Sequence, residues 1–498
     1  MVYRGKPSRA CLECRVKRRK CDLSKPACGQ CTRAGSKCDG YRDQNSLNFR
    51  DQTAQTLSKP QYCSHNRRPV TSFHENPAVF TDSARRQQAL EPDNDPWRAI
   101  SVPPQQLALS FYFYHYLMSG SGPALSHPDC VSIVHAGARE GGYIADLIKA
   151  VGMASLAYVQ NAPSLTRIGG QMYSEALRHI RVALADPVEA ASDQLLVAVM
   201  LLVLYETVIC NPDKNLSPWD SHVDGALALV ELRGISQFRN RIGRSIFLYL
   251  RTEVLVDCLQ RGRRVPVPLT EWMSEFQAFE SAQDAPTGRL AGILVSACAV
   301  LASVKKKASD QSDISGFIPA LLFIDEALDR WAGNLPVEYR YKALATRDKD
   351  PDIMSEPYDL YPSLEMAHTW NLQRCARITL HQTLLEILSS SQPTLSLPPD
   401  GHLQTSRHII EQNANDIYHS VPYILHYCNK LGTSGDMRAV HVMPLLWPLY
   451  VAGAAPTTTN SAREYIIEQV RRIEQVTGIQ RAKSLALELE KGMFSTSS

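Results

Sequence analysis

Six of the 13 cysteines in this 498-residue chain lie between Cys11 and Cys38, in two copies of one spacing, C-x2-C-x6-C. The first copy is Cys11, Cys14 and Cys21; the second is Cys28, Cys31 and Cys38. A stretch of about 30 residues cannot bury enough apolar surface to fold by itself, so the thiols must supply what a hydrophobic core would. Three disulfides are one way. They suit secreted proteins, and the N-terminus "MVYRGKPSRA" has no apolar signal-peptide region, so reduced thiols are expected. Metal is the other way. Two cysteines in C-x2-C chelate one ion from a tight turn, with backbone N–H groups free to donate to sulfur, and soft thiolates favour Zn²⁺. Two tetrahedral zincs need eight ligand positions and six thiolates fill them only if two bridge. The repeat suggests the equivalent cysteine of each half, taken here as Cys11 and Cys28.

The same segment is strongly basic. Five of the seven residues from Arg15 to Cys21 are Lys or Arg. Residues 1–42 hold 12 Lys/Arg and 3 Asp/Glu, a net +9, which leaves 41 against 47, or −6, for the rest. The total of +3 therefore conceals a basic head on a mildly acidic body, and a compact basic head points to a polyanion. Charge alone gives salt-sensitive, unspecific affinity. Specificity needs donors aimed at base edges, and guanine N7 and O6 in the major groove are natural partners of Arg and Lys. We expect a short helix over Leu12–Arg19, with the basic side chains around its end divided between phosphates and bases.

"CLECRVKRRKCD", "LSKPA" and "CGQCTRAGSKC" resemble the fungal Zn(2)-Cys(6) binuclear zinc cluster, with all six ligands present. Modules of that kind dock a short helix into the major groove. The resemblance implies a zinc-dependent, RNA polymerase II-type transcription factor in a fungal nucleus, with two Zn²⁺ per chain held by Cys11, Cys14, Cys21, Cys28, Cys31 and Cys38. It implies that the first and fourth cysteines bridge, that Pro26 is the loop proline, and that Lys17 and Arg18 read a CGG (CCG) triplet in double-stranded DNA. Many relatives carry Lys where Arg18 stands; the arginine fork can still take N7 and O6 together. Arg15 and Lys20 are assigned to phosphates, with Arg9 and Lys25 beside them. Relatives of this type regulate metabolic pathways or secondary-metabolite gene clusters.

From Asp39 to about Pro104 the text is polar, broken by proline and aperiodic, which reads as a disordered linker. No heptad repeat accompanies it, so no coiled coil is expected to pair two heads. Cys63 and His65 read as bystanders. From Gln105 the pattern is helical. "SPWDSHVDGALALVELRG" offers Ser217, Pro218 and Asp220 as start signals, an apolar face of Trp219, Val223, Ala226, Leu227 and Val230, and Gly234 as a stop. "FIPALLFIDEALDRWAGNLP" repeats this with Phe317, Leu321, Ile324, Leu328 and Trp331, and Ile466, Val470 and Ile473 mark a helix closed by Gly478. "LLVAVMLLVL" is short for a membrane span and suits a buried helix. "SHVDGALALVELRG" and "LLWPLYVAGA" resemble the fungal-specific transcription factor regulatory domain.

The expected fold class is mostly α. The expected domains are a cysteine-cluster domain over 1–42, a flexible linker over 43–104 and a large all-α regulatory domain over 105–498. No metalloprotease, nucleophile-elbow, Walker or dinucleotide motif is present, and "GSGPALSHPDC" reads as a loop, so no enzyme is expected. His222 is not assigned to catalysis, and the seven scattered cysteines read as buried apolar residues. Expected partners are DNA, a second copy through the helical body, and a small-molecule or protein effector, with no membrane. The competing reading is an effector-sensing or scaffolding helical protein in which DNA contact is secondary.

Overall fold

The computed structural model describes residues 10–17, 19–38, 102–117, 131, 134–136, 142–210, 217–344, 358–390, 399–430 and 437–495. The chain divides into two compact units, Met1–Asp93 and Asn94–Ser498. The linker expected over 43–104 lies outside the described residues except at its last three positions, as do Cys63, His65 and "GSGPALSHPDC".

The first unit has two five-residue helices, Leu12–Val16 and Gly29–Arg33, each starting one residue after the first cysteine of a half. The helix expected over Leu12–Arg19 is therefore shorter than its sequence suggests. Lys17 N–H closes on the Glu13 carbonyl at 3.0 Å, and Arg19 N–H turns back to the Cys14 carbonyl at 2.8 Å. The chain then extends to bring Cys21 back to the other cysteines. The Lys25–Pro26 peptide is cis.

The second unit is a succession of helices around one continuous apolar core. Asp193–Ile209 is capped by Ser192, whose hydroxyl accepts from Leu195 N–H at 3.1 Å. Leu195–Tyr205 is buried throughout, as a helix apolar on all sides must be. It packs between Tyr143–Val159 and Ser217–Arg233. Gly152 allows Tyr143–Val159 to approach Pro104–Tyr116 closely, because a Cβ there would sit 2.1 Å from the Ala108 carbonyl oxygen. The chain continues through Arg241–Arg261, Ala285–Ser309, Ile318–Gly333, Leu364–Ser390, Pro399–Lys430 and Leu446–Ala454, each against the one before. The last helices, Asn460–Thr477 and Gln480–Ser495, return to Tyr143–Val159 and Asp193–Ile209. Gly478 makes the final turn at φ 74°, where a Cβ would also strike the Ser155 carbonyl.

The anticipated faces are the buried ones. Val223, Ala226, Leu227 and Val230 are in the core, as are Leu321, Ile324, Leu328 and Trp331, and Ile466, Val470 and Ile473. Gly234 ends its helix at φ 62°. The side chains of Ser217, Trp219 and Asp220 lie outside the described residues, and Phe317 is only partly buried. A two-stranded antiparallel ribbon, Lys342–Leu344 with Tyr358–Leu360, is an addition to the all-α expectation. Ala285–Ser309 is long and apolar enough to cross a membrane by length and composition, yet it packs Leu290, Leu294, Ala297, Cys298, Leu301 and Val304 into the core against three other helices.

The core also holds charge. Arg374 is 1% exposed, between Asp359 at 3.3 Å and Asp416 at 3.9 Å, and donates to the Tyr361 hydroxyl at 2.6 Å. A buried cation needs such compensation.

Candidate metal centre and nucleic-acid interface

The described residues of the first unit form almost no aliphatic interior. Their buried cluster is Cys11, Cys14, Cys28 and Cys31, with Ala10, Cys21 and Cys38 packed against them. The sulfurs form two sets of four whose members all lie within 4.8 Å of one another: Cys11, Cys14, Cys21, Cys28 and Cys11, Cys28, Cys31, Cys38. Cys11 and Cys28 belong to both. Measured separations are 3.6 Å for Cys11–Cys28, 3.7 Å for Cys11–Cys31 and 3.6 Å for Cys14–Cys28. Disulfide sulfurs stand about 2.05 Å apart, so these are free thiols. Four sulfurs at about 2.3 Å from one tetrahedral zinc stand about 3.8 Å from each other, and the spacing fits that ion.

The halves are built alike. Cys14 N–H donates to Cys11 Sγ at 3.5 Å, and Cys31 N–H donates to Cys28 Sγ at 3.3 Å. The two sulfurs common to both sets thus accept equivalent hydrogen bonds, each from the backbone of the second cysteine in its own C-x2-C turn. Crowding resists ionisation where no cation compensates it. Burial, then the Cys11 and Cys28 sulfurs, push the Cys14 thiol up to about 12, and the Cys28 sulfur, then burial, raise Cys31. Cys21, hydrogen-bonded first of all to the Cys11 backbone, is drawn down to about 7. Six thiolates this close require positive charge between them.

Lys17, Lys20 and Lys25 are exposed. Lys17 pairs with Glu13 one turn earlier, a partner absent from the DNA assignment although the i,i+4 spacing signals it. Arg15 sits in the first helix with its side chain outside the described residues, where Arg9 and Arg18 also lie. Asp22 is a second residue that spacing alone does not single out, and it ties the loop to the second half.

In the second unit, Ser406, His381 and Asp325 line up as Ser–His–Asp, at 3.0 Å from Ser406 Oγ to His381 Nδ1 and 3.2 Å from His381 Nε2 to Asp325. Their exposures of 3%, 1% and 8% keep any substrate carbonyl away. Arg377 holds both Asp325 oxygens, at 2.7 and 3.1 Å. Burial raises the Asp325 carboxyl, but the close His381 imidazole and the hydrogen bonds from Arg377 outweigh it and hold the group below its ordinary value. This is a polar tie between three helices. His222 likewise serves structure, with Nε2 at 3.3 Å from the hydroxyl of Tyr173, which itself donates to Glu206 at 2.7 Å.

Residues 143–489 match the family described as the fungal specific transcription factor domain. The chain belongs to that family. Residues 9–47 match the fungal Zn(2)-Cys(6) binuclear cluster domain, so the cofactor is Zn²⁺, two per chain, and the protein is a DNA-binding transcription regulator. It is similar to "Transcription factor dbaG" of Emericella nidulans, at 23% identity over 407 residues, covering 77% of this chain and 91% of the relative. A shorter similarity, 36% over 55 residues, joins it to the "Aspercryptin biosynthesis cluster-specific transcription regulator atnN" of the same organism, covering 11% of this chain and 9% of that one. No solved structure is significantly similar to this chain.

Proposed function

We propose that this family member recognises CGG/CCG triplets through its zinc-cluster head and regulates a metabolic or secondary-metabolite gene cluster in the nucleus, without enzymatic activity. The observation that carries the reading of the site is the pair of four-sulfur sets sharing Cys11 and Cys28. Cys11, Cys14, Cys21 and Cys28 would hold one zinc and Cys11, Cys28, Cys31 and Cys38 the other. The metal supplies positive charge and rigid cross-links in place of a hydrophobic core. The chain's own residues do the reading. Lys17 and Arg18 follow the first helix and are assigned to guanine N7 and O6; Arg15, Lys20, Arg9 and Lys25 are assigned to phosphates. Lys17 must exchange Glu13 for DNA, which costs little because Lys17 is exposed and Glu13 only half-buried.

We assign 1–42 to the head, 43–104 to a flexible linker and 105–498 to the regulatory body. A single head contacts few base pairs, which is little information in a genome. A second copy paired through the body would add the rest, and the body is the place for an effector. The atnN relative's name links it to one biosynthetic cluster, which supports the pathway part of the proposal. The test is binding of purified full-length protein to duplexes with intact and scrambled triplets at fixed salt. A preference of about 10³-fold or more is expected of a specific regulator, and a ratio near one would sink the assignment.

A further inference from the structure

Asp22 follows the last cysteine of the first half, and its carboxylate reaches across the loop into the second half. Gly29 N–H donates to its two oxygens at 2.9 and 3.1 Å, and Ser24 N–H donates to Oδ1 at 3.4 Å. Gly29 is the residue after Cys28, whose sulfur belongs to both four-sulfur sets. The contact leaves no spare room, since a Cβ on Gly29 would sit 2.5 Å from Asp22 Oδ2. Leu23, next in the loop, is held at φ 63°, a conformation L side chains disfavour, so the loop is not in a shape it would choose unaided. Hydrogen bonds to a carboxylate are stronger than those between neutral groups, and this one closes the chain segment that joins the two halves.

We propose that Asp22 is a positioning residue of the zinc cluster: by gripping Gly29 N–H it fixes the Cys28 sulfur where both metals share it. The proposal rests on the reading of Cys11 and Cys28 as bridges. Groups that orient a ligand from behind affect metal affinity by about 10–100-fold when removed.

The test uses full-length zinc-loaded protein and follows zinc transfer to a chromophoric chelator. Asp22→Ala should release zinc about 10–100-fold faster than the wild type. Gly29→Ala should match it, because the new methyl displaces the carboxylate; helix propensity alone would favour the alanine. The double variant should be no worse than the worse single variant, as for two ends of one contact. Asp22→Asn keeps an oxygen for Gly29 N–H and should recover most of the wild-type behaviour. The salt dependence of DNA binding should not change, since Asp22 meets no phosphate in this scheme. Wild-type release rates in Asp22→Ala would overturn the proposal, as would Asp22→Asn failing as badly as Asp22→Ala. Wild-type protein holding other than two zincs would instead overturn the bridged reading on which it rests.

Discussion

Replacing a shared sulfur should damage the head more broadly than replacing a terminal one. Cys28 stands 3.6 Å from both Cys11 and Cys14 and belongs to both four-sulfur sets, whereas Cys38 belongs to one. A structural zinc contributes roughly 10–16 kcal/mol to a small domain near neutral pH, so one of four equal ligands carries about 2.5–4 kcal/mol. Cys38→Ser should weaken one zinc by about that amount, roughly 60- to 700-fold in affinity, and leave the other near wild type. Cys28→Ser and Cys11→Ser should weaken both zincs, for a total loss about twice as large, because each sulfur serves two ions. Chelator competition with elemental analysis on the full-length variants measures both steps. A Cys28→Ser protein that keeps one zinc at wild-type affinity would refute the sharing of that sulfur, and with it the division of six thiolates over eight positions.

Arg18→Ala should cost about 1–3 kcal/mol of discrimination at one guanine, read in a panel of single-base triplet variants. Arg15→Ala should instead weaken binding to every duplex alike and lower the salt slope by about one; the reverse pattern would exchange the two roles. If Lys17 contacts DNA as proposed, Glu13→Gln frees it and removes a negative charge beside it, so affinity should rise, by less than about fivefold because a solvent-accessible pair is worth about 0.2–1 kcal/mol. Burial lifts the Glu253 carboxyl to about 7, so between pH 4.5 and 7 the folded body binds more protons than the unfolded chain and loses stability as pH rises. Glu253→Gln should remove that loss, gaining about 2.5 kcal/mol relative to wild type on going from pH 5 to pH 8 in denaturant titrations. On duplexes with two triplets at varied separation, full-length protein should tolerate several spacings in gel shifts, since no heptad repeat follows the cysteine segment in the sequence; a single sharp optimum would reveal a rigid pairing element.

The cysteine cluster is legible in the sequence because metal coordination is written in local spacing. C-x2-C fixes which sulfurs can converge, and counting ligand positions leads to two shared ones. The helix faces are legible for a similar reason, since Leu321, Ile324, Leu328 and Trp331 recur at helical period and are buried together. Longer-range features are not. Arg374 in "LQRCARITL" looks like a solvated residue, yet Asp359 on a three-residue strand and Asp416 on the next long helix compensate its burial. Neither partner is at a spacing that periodicity can register. The first helix stops short of its pattern: apolar and basic residues continue to Arg19, while the end is set by the Arg19 N–H returning to Cys14 and by the path back to Cys21. Asp22 stands beside Cys21 in the sequence, but its contact with Gly29 spans seven positions of loop and only the folded chain brings the two together.

The composition of the head's interior bears on why it can read DNA at all. A hydrophobic core would have to claim a large share of so short a segment, with apolar side chains turned inward. Among the described residues of the head the buried ones are four cysteines, and the side chains of Leu12, Val16, Lys17, Arg19 and Lys20 all remain exposed. Metal coordination therefore leaves nearly every non-cysteine side chain described between Cys11 and Cys21 free to face a duplex. The same arrangement makes the surface conditional. With no apolar interior among the described residues to hold the two short helices together, loss of zinc should remove both the fold and the geometry on which the proposed division between base-reading and phosphate-binding cations depends. What survives is a basic, flexible segment, for which charge permits only unspecific, salt-sensitive binding. Zinc removal should thus abolish triplet preference before it abolishes all attraction to DNA.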